Sequence, residues 1–584
     1  MNAAGVRYPL AGLVLLLISA AWTCASAAPQ VTVRIEGISG ELEQNVRASL
    51  SIAQYTDWGA EPAATIRRLN GEAPRQIRRA LEPYGYFSPQ VDANLTRDGD
   101  NWTATYRIQP GEPVTVERVV VRIEGAGAND PALASIARSP PIRTGAPLRQ
   151  SEYTQTKRAL QQVAADHGYL DAEFARHVLH VDPAQHSAQV LLVFRTGPRY
   201  RFGEVTIHQG ILNPGFVHRY VHIQPGEPYS AGKLSDLQSR LSSSGYFSSV
   251  SVTPEKDRAG QDRRVPVTVT AQPAKRNHYS LGLGYGTDTG PRLRFGWENR
   301  RVNRRGHRFR FDARLSRIAT EANARYIVPL ADPTSDRLVF SATDNRRDYG
   351  DTVGYLLGLG VSRITRVDGW QQDAYVNVGR YRSDLAPGTL VSRLVMPGIR
   401  YSRIVAQPPG VSAFGYSINA DVHGAARALA SDDTFARADL SVHVVIPLGP
   451  GEVVLRGEIG AIADSNFDHL PVAERFFAGG ENSVRGYAYQ SIGPRNAAGQ
   501  VVGGRYLKTG SVEYDWRIVG NWGVAAFFDA GTAANSFTAP PEKGIGLGAR
   551  YYTPVGAVRV DLAHPIAHPE LGYVRLHIGI GLSL

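Results

Sequence analysis

Three charged residues in the last fifth of the chain stand where a charge has to be answered. Arg485 lies in the stretch Arg475 to Pro494, RFFAGGENSVRGYAYQSIGP, among Val484, Tyr487 and Tyr489. A guanidinium with such neighbours must find a specific partner or stay in water. Glu513, in Gly510-Ser511-Val512-Glu513-Tyr514, and Asp529, in Phe527-Phe528-Asp529-Ala530-Gly531, each alternate with apolar residues. On strands, both carboxylates face away from Val512, Tyr514, Trp516 and Phe528. The chemistry open to this trio is charge-assisted, bidentate hydrogen bonding. Such a contact is structural and not catalytic.

Other chemistry finds no footing. The chain has no Gly-x-Ser-x-Gly elbow, no phosphate-binding Walker loop and no His-Glu-x-x-His zinc pair. Asp464-Ser465-Asn466-Phe467-Asp468 imitates the start of a calcium loop. His469 then stands where that loop needs glycine, and no glutamate follows six residues on. The reading is therefore no enzyme, no cofactor and no metal. The glycines at 479, 480 and 486 allow tight backbone conformations around Arg485. By residue chemistry alone, this stretch reads equally as a surface loop with incidental aromatics or as a loop pinned inside something. Long loops without secondary structure of their own serve function or are disordered.

The elements that would position these residues are strands. After Pro273-Ala274-Lys275-Arg276 the pattern turns to period two, with Tyr279, Leu281, Leu283 and Tyr285 on one face and Ser280, Gly282 and Gly284 on the other. The same alternation returns to the end of the chain, giving about 16 strands, an even number as in bacterial outer-membrane barrels. The Arg475 stretch then joins strand 11 to strand 12 on the outer side. Trp297, Trp370, Trp516 and Trp522 are candidates for aromatic girdles. A soluble propeller also consumes many short strands, but the export signal and the terminal strand weigh against it. Gly282, Gly284 and Gly286 in the first strand, with Gly579 and Gly581 in the last, mark the closing seam as the weakest pairing. The same glycines could equally relieve crowding in the lumen.

The N-terminal half repeats itself. Gly85-Tyr86-Phe87-Ser88, Gly168-Tyr169-Leu170-Asp171 and Gly245-Tyr246-Phe247-Ser248 are 83 and 77 residues apart. Eight residues before each glycine stand Ile77, Leu160 and Leu237, and four before stand Leu81, Ala164 and Leu241. Each set predicts an amphipathic helix ended by glycine. With alternating segments at Val31–Ile35, Arg118–Ile123 and Phe202–Ile207, each unit reads strand, helix, helix, strand, strand.

Residues 1–27 read as a removable export signal, with Arg7, an apolar run from Leu10 to Ala21, and Ala25-Ser26-Ala27. The alternative is a short membrane anchor. Cys24, the only cysteine, falls inside that segment, so the mature chain is expected to lack disulfides and thiolate metal sites. No later stretch offers 18 consecutive apolar residues, which rules out helical spans but not a barrel. The formal charge of +11 comes from scattered arginines, read as interfacial and lumenal charges and not as a nucleic-acid surface.

Val484-Arg485-Gly486-Tyr487, after Arg475-Phe476-Phe477-Ala478-Gly479-Gly480, resembles the lumenal-loop signature of the BamA/TamA superfamily of outer-membrane assembly barrels. It is most similar to the TamA branch, the barrel subunits of the translocation and assembly module. The resemblance implies three N-terminal α+β POTRA domains (28–112, 113–198 and 199–275) before a transmembrane antiparallel β-barrel over 276–584. It implies a lumenal loop lock of Arg485, Gly486 and Tyr487 with Glu513 and Asp529. It also implies a lateral gate at the glycine seam. By resemblance, the protein is an outer-membrane assembly factor, its POTRA domains in the periplasm. Its expected partners are a TamB-like inner-membrane-anchored protein, unfolded barrel or autotransporter clients, and the lipid bilayer. Three repeats favour TamA, and the ending Gly581-Leu582-Ser583-Leu584, without a terminal aromatic, agrees. A secretion pore of the two-partner type is the alternative, and a passive porin would leave the repeats unexplained.

Overall fold

A computed structural model describes residues 31–54, 62–99, 101–386, 388–405, 414–553, 556–566 and 574–581. The expected export signal and the last three residues lie outside the described residues. The chain divides into two compact units: 1–204 with 224–233 and 256–266, and 205–223 with 234–255 and 267–584.

Three α+β repeats come first. The first holds β1 (Val31–Glu36), α1 (Glu41–Ser49), α2 (Ser51–Gln54), α3 (Pro62–Leu81), β2 (Gln90–Asp98) and β3 (Asn101–Gln109). The second holds β4 (Thr115–Glu124), α4 (Pro131–Arg138), α5 (Gln150–Asp166), β5 (Glu173–Asp182) and β6 (Ser187–Arg195). The third holds β7 (Arg201–His208), α6 (Pro214–Val217), α7 (Ala231–Ser243), β8 (Phe247–Pro254) and β9 (Arg264–Pro273). In every sheet the last strand is central, in the orders β1-β3-β2, β4-β6-β5 and β7-β9-β8. The first strand runs parallel to it in the first two sheets.

The helical stripe packs these sheets. Ile77, Leu81, Leu160, Ala164, Leu237 and Leu241 are all buried, which is why one apolar period recurs three times. The glycine after each helix has positive φ: +89° at Gly85, +84° at Gly168 and +76° at Gly245. The first two do more than end a helix. The Val114 N–H donates to the Gly85 carbonyl at 2.9 Å, and the Tyr200 N–H donates to the Gly168 carbonyl at 2.7 Å. A Cβ on Gly85 would sit 2.8 Å from the Leu148 carbonyl oxygen, and one on Gly168 2.8 Å from that of Tyr200. Each glycine is therefore the point where the next repeat is tied on.

The 16 strands from Asn277–Gly286 to Arg575–Gly581 form one antiparallel sheet in sequence order. Apolar side chains point outward: Leu283, Leu357, Leu359 and Leu547 are each more than 60% exposed on the protein alone. Charged residues point in, as a water-lined barrel interior demands. Trp297, Trp370, Trp516 and Trp522 all lie at the end of the barrel where strand 1 begins, since they occupy the close of strands 2 and 12 and the start of strands 7 and 13. They mark one girdle and not two. Tyr285, Tyr355 and Phe537 serve the opposite end.

Candidate functional site

The connection between strand 11 (Gly451–Asp464) and strand 12 (Tyr506–Val519) folds inward and fills the lumen at the end opposite the tryptophans. Its Leu470, Val472, Phe476, Ala478, Val484 and Ile492 are buried in one apolar cluster or beside it. Arg475 holds the loop's base. Its guanidinium donates to the carbonyls of Leu470 (2.8 Å), Asp468 (3.0 Å) and Val502 (3.2 Å). Short bridges pair Phe476 with Gly504 and Ala478 with Ile492, so the loop carries its own backbone hydrogen bonds into the barrel. The segment that imitates a calcium loop ends strand 11 as a turn, with the Asp464 carboxylate accepting the Asn466 N–H at 2.6 Å.

At the loop's tip Arg485 is only 2% exposed. Its Nε and Nη2 donate to the two oxygens of Asp529 at 2.7 and 2.9 Å, and its backbone N–H adds a third bond at 3.0 Å. Nη1 reaches Glu513 at 2.6 Å and Asp561 at 3.0 Å, and Nη2 reaches Ser511 at 3.2 Å. The guanidinium also lies 3.3 Å from the ring centre of Phe527, which desolvates it and offers its π face. Every donor is used, the condition under which a buried charge is tolerated.

The loop's backbone is fixed on either side. Gly486 has φ +96°, and a Cβ there would meet the Pro565 nitrogen at 3.0 Å. Its N–H donates to His577 Nε2 at 3.3 Å. The Tyr487 hydroxyl donates to Glu542 at 2.9 Å. The barrel wall yields space in return: a Cβ on Gly531 would press on Val484.

Arg485, Gly486, Tyr487, Glu513 and Asp529 thus come together in one cluster. Sequence reasoning missed the rest of it. Arg550, fully buried, donates to Glu513 at 2.5 Å and to Asp561, and lies 3.3 Å from Asp515. Two arginines therefore share four carboxylates. The signal was there in the alternation. Asp515 has the same parity as Glu513, and Asp561 stands between Val560 and Leu562 in Val558–Leu562. Each is a charge at an inward position.

Three family profiles match this chain. Residues 413–584 match the Omp85 superfamily domain, which contains the whole loop and its carboxylates. Residues 32–110 match the profile described as POTRA domain TamA domain 1, and 200–273 the POTRA profile described as a surface antigen variable number repeat. Residues 413–584 thus carry an Omp85 superfamily domain, with POTRA-type domains ahead of it. The outer membrane protein assembly factor BamA of Nitratidesulfovibrio vulgaris is 23% identical over 70% of this chain and 54% of its own length. The chain thus spans about half the length of that curated relative. Among solved structures, BamA from Haemophilus ducreyi lacking POTRA domains 1–3 superposes with a TM-score of 0.64 at 16% identity. It covers 79% of this chain and 98% of its own. CdiB from Acinetobacter baumannii gives a TM-score of 0.44 at 13% identity, covering 93% of this chain and 100% of its own.

Gly282, Gly284, Gly286 and Gly579 face the lumen, while Leu281 and Leu283 on the other face of strand 1 are exposed. Beside Gly282 and Gly284 lie the side chains of Arg294 and Arg292 from strand 2, 3.7 and 3.6 Å from where a Cβ would stand. Gly579 is covered by the Glu481 carboxylate of the inward loop. Gly286 lies 3.6 Å by the same measure from the Ile578 carbonyl across the seam. Gly581 closes strand 16 opposite Ala557. Gly282, Gly284 and Gly579 thus make room for charged side chains.

Proposed function

We propose that this protein is an outer-membrane assembly factor that inserts or translocates β-barrel and autotransporter clients through the seam between its first and last strands. One observation carries the reading. Fifteen neighbouring strand pairs form ladders, while among the described residues no ladder pairs strand 1 with strand 16. What joins them is a clasp. The Ile578 N–H donates to Thr287 Oγ1 at 3.3 Å, and Asp288 accepts the Glu481 N–H at 2.6 Å. Unpaired strand edges in a bilayer are costly, and a client strand could satisfy them by main-chain pairing.

In this reading the arginine cluster is a lock that holds the loop in the lumen and, through Glu481 and Asp288, trims the seam; its role is structural and not catalytic. The open edges of the small sheets receive unfolded clients or a partner strand in the periplasm. The match of residues 32–110 to a TamA first POTRA profile supports the TamA branch, and with it a TamB-like inner-membrane partner.

The test is a disulfide across the seam. Tyr285→Cys with Ile578→Cys, both on the outer face, and neighbouring pairs, would be placed in the chain beside Cys24 as its only native cysteine. Oxidation is expected to stop insertion of added barrel clients, and reduction to restore it. Equal insertion by closed and open barrels would refute the seam mechanism. Release of a single exoprotein with unimpaired ion conductance would point to a secretion pore instead.

A further inference from the structure

The inner wall of strands 2–8 and the end of α7 enclose a cavity of about 820 Å³. Nine of its lining residues are arginines and four are aspartate or glutamate. Part of this charge is answered close by: Arg240 pairs with Asp236 at 2.6 Å and Arg400 with Asp421 at 2.7 Å. The remainder is out of balance. Asp312 alone faces Arg294, Arg310 and Arg325, at 3.3, 2.9 and 2.8 Å. Arg337 and Arg366 have no carboxylate within ion-pair distance among the described residues. Like charges walled in by protein repel more strongly than in water and concentrate a counter-charge.

The kind of anion follows from the groups left over. Three buried side-chain atoms on this wall have no hydrogen-bond partner: Nε of Arg325, Oδ1 of Asn323 and Oδ1 of Asp373. One is a donor and two are acceptors. A phosphate group brings acceptors only and would leave Asn323 and Asp373 unmet. A polypeptide with acidic side chains brings carboxylates for the arginines and backbone N–H groups for the acceptors. Ile327, Val339 and Ile364 line the same space, so apolar side chains of such a segment have somewhere to go.

We infer that this cavity binds an extended acidic segment of a polypeptide. The inference rests on the proposed handling of polypeptide clients and names the part of a client that the barrel interior holds. The arginines supply charge-assisted bonds, and Asn323 and Asp373 read the main chain.

The experiment uses the full chain in detergent micelles and a fluorescent peptide of alternating Glu and Leu, with a Gln-for-Glu twin and inorganic polyphosphate as comparisons. The acidic peptide is expected to bind, and the Gln twin to bind at least about tenfold more weakly. The double variant Arg337→Gln, Arg366→Gln touches neither ion pair nor loop, and should weaken the acidic peptide about tenfold while leaving gel mobility unchanged. Arg382→Gln, paired with Asp384 away from the cavity, should leave binding as it was. Binding of the twin as tight as the acidic peptide, or no effect of the double variant, overturns the inference. Polyphosphate bound by the same arginines and displacing the peptide with equal affinity overturns it in favour of a phosphate site. If the wild type inserts clients but does not bind the peptide, this inference alone fails. If it binds the peptide but inserts no client, the assembly role fails and the cavity stands.

Discussion

Arg485 and Asp529 are joined three times, through the arginine's backbone N–H, its Nε and its Nη2, at 3.0, 2.7 and 2.9 Å. A side-chain pair alone would fix an orientation; adding the backbone bond fixes the loop itself. The carboxylate belongs to strand 13 and the arginine to the tip of a connection that entered from the far end of the barrel. This pair ties the tip of the loop to the barrel wall inside the lumen.

Arg485→Ala leaves Asp529 buried without its arginine, and Glu513 and Asp561 with Arg550 alone. The expected loss is about 3–5 kcal/mol, read as a lower temperature for loss of heat-resistant gel mobility. Arg485→Lys keeps the charge but not the fork, and should fall between the two. An alanine variant with wild-type transition temperature would refute the lock.

Asp288→Ala removes the acceptor for the Glu481 N–H at 2.6 Å and the acidic neighbour of His577. The loop tip then loses its hold on the first hairpin while the arginine cluster remains. In planar bilayers this variant is expected to open more often, with gel mobility little changed. Conductance identical to wild type would mean that Asp288 does not hold the seam.

Gly168→Ala puts a Cβ at positive φ and against the Tyr200 carbonyl oxygen. About 1–3 kcal/mol of destabilisation is expected, seen in thermal unfolding of the whole chain. Gly71, inside α3 with open space around it, is the contrast. Gly71→Ala should stabilise by up to about 1 kcal/mol.

Acid should loosen the tie between the second and third repeats. Lys256 donates to Asp171, as does the Tyr200 hydroxyl at 2.9 Å. The Lys256 bond is the main reason why the Asp171 carboxyl sits below its ordinary range and the Lys256 ammonium above its own. A depressed carboxyl stabilises above its unfolded value, about 3.9, and that stabilisation goes as pH falls through the lower folded value. The raised ammonium contributes fully below about 10.4 and loses its effect as pH rises through the higher folded value. The tie is therefore level from about pH 5 to 9, and both groups are over a third exposed, so its worth is about 0.5–1 kcal/mol. Distances between spin labels at Glu173 and Gly260 should broaden below about pH 4 and not between pH 6 and 8. Broadening at neutral pH would show that another contact sets the geometry.

What was legible in the sequence was everything with a period. The triple glycine register gave three repeats because each helix must bury the same stripe, and the alternation after Arg276 gave 16 strands because a barrel wall separates lipid from water at every second residue. Parity also marked Glu513 and Asp529 as inward. Parity alone could not pair them, since a lumen-facing charge says nothing of which strand it meets. Curvature of the wall brings Asp561 and Arg550, from strands 15 and 14, to the same point as Glu513. The four tryptophans show the same limit: their spacing suggested girdles, but only the direction of each strand placed all of them at one end. Composition determined that arginine would be abundant. The closure of the sheet decided which arginines meet carboxylates and which, like Arg337 and Arg366 on the neighbouring strands 5 and 6, are left side by side on the cavity wall.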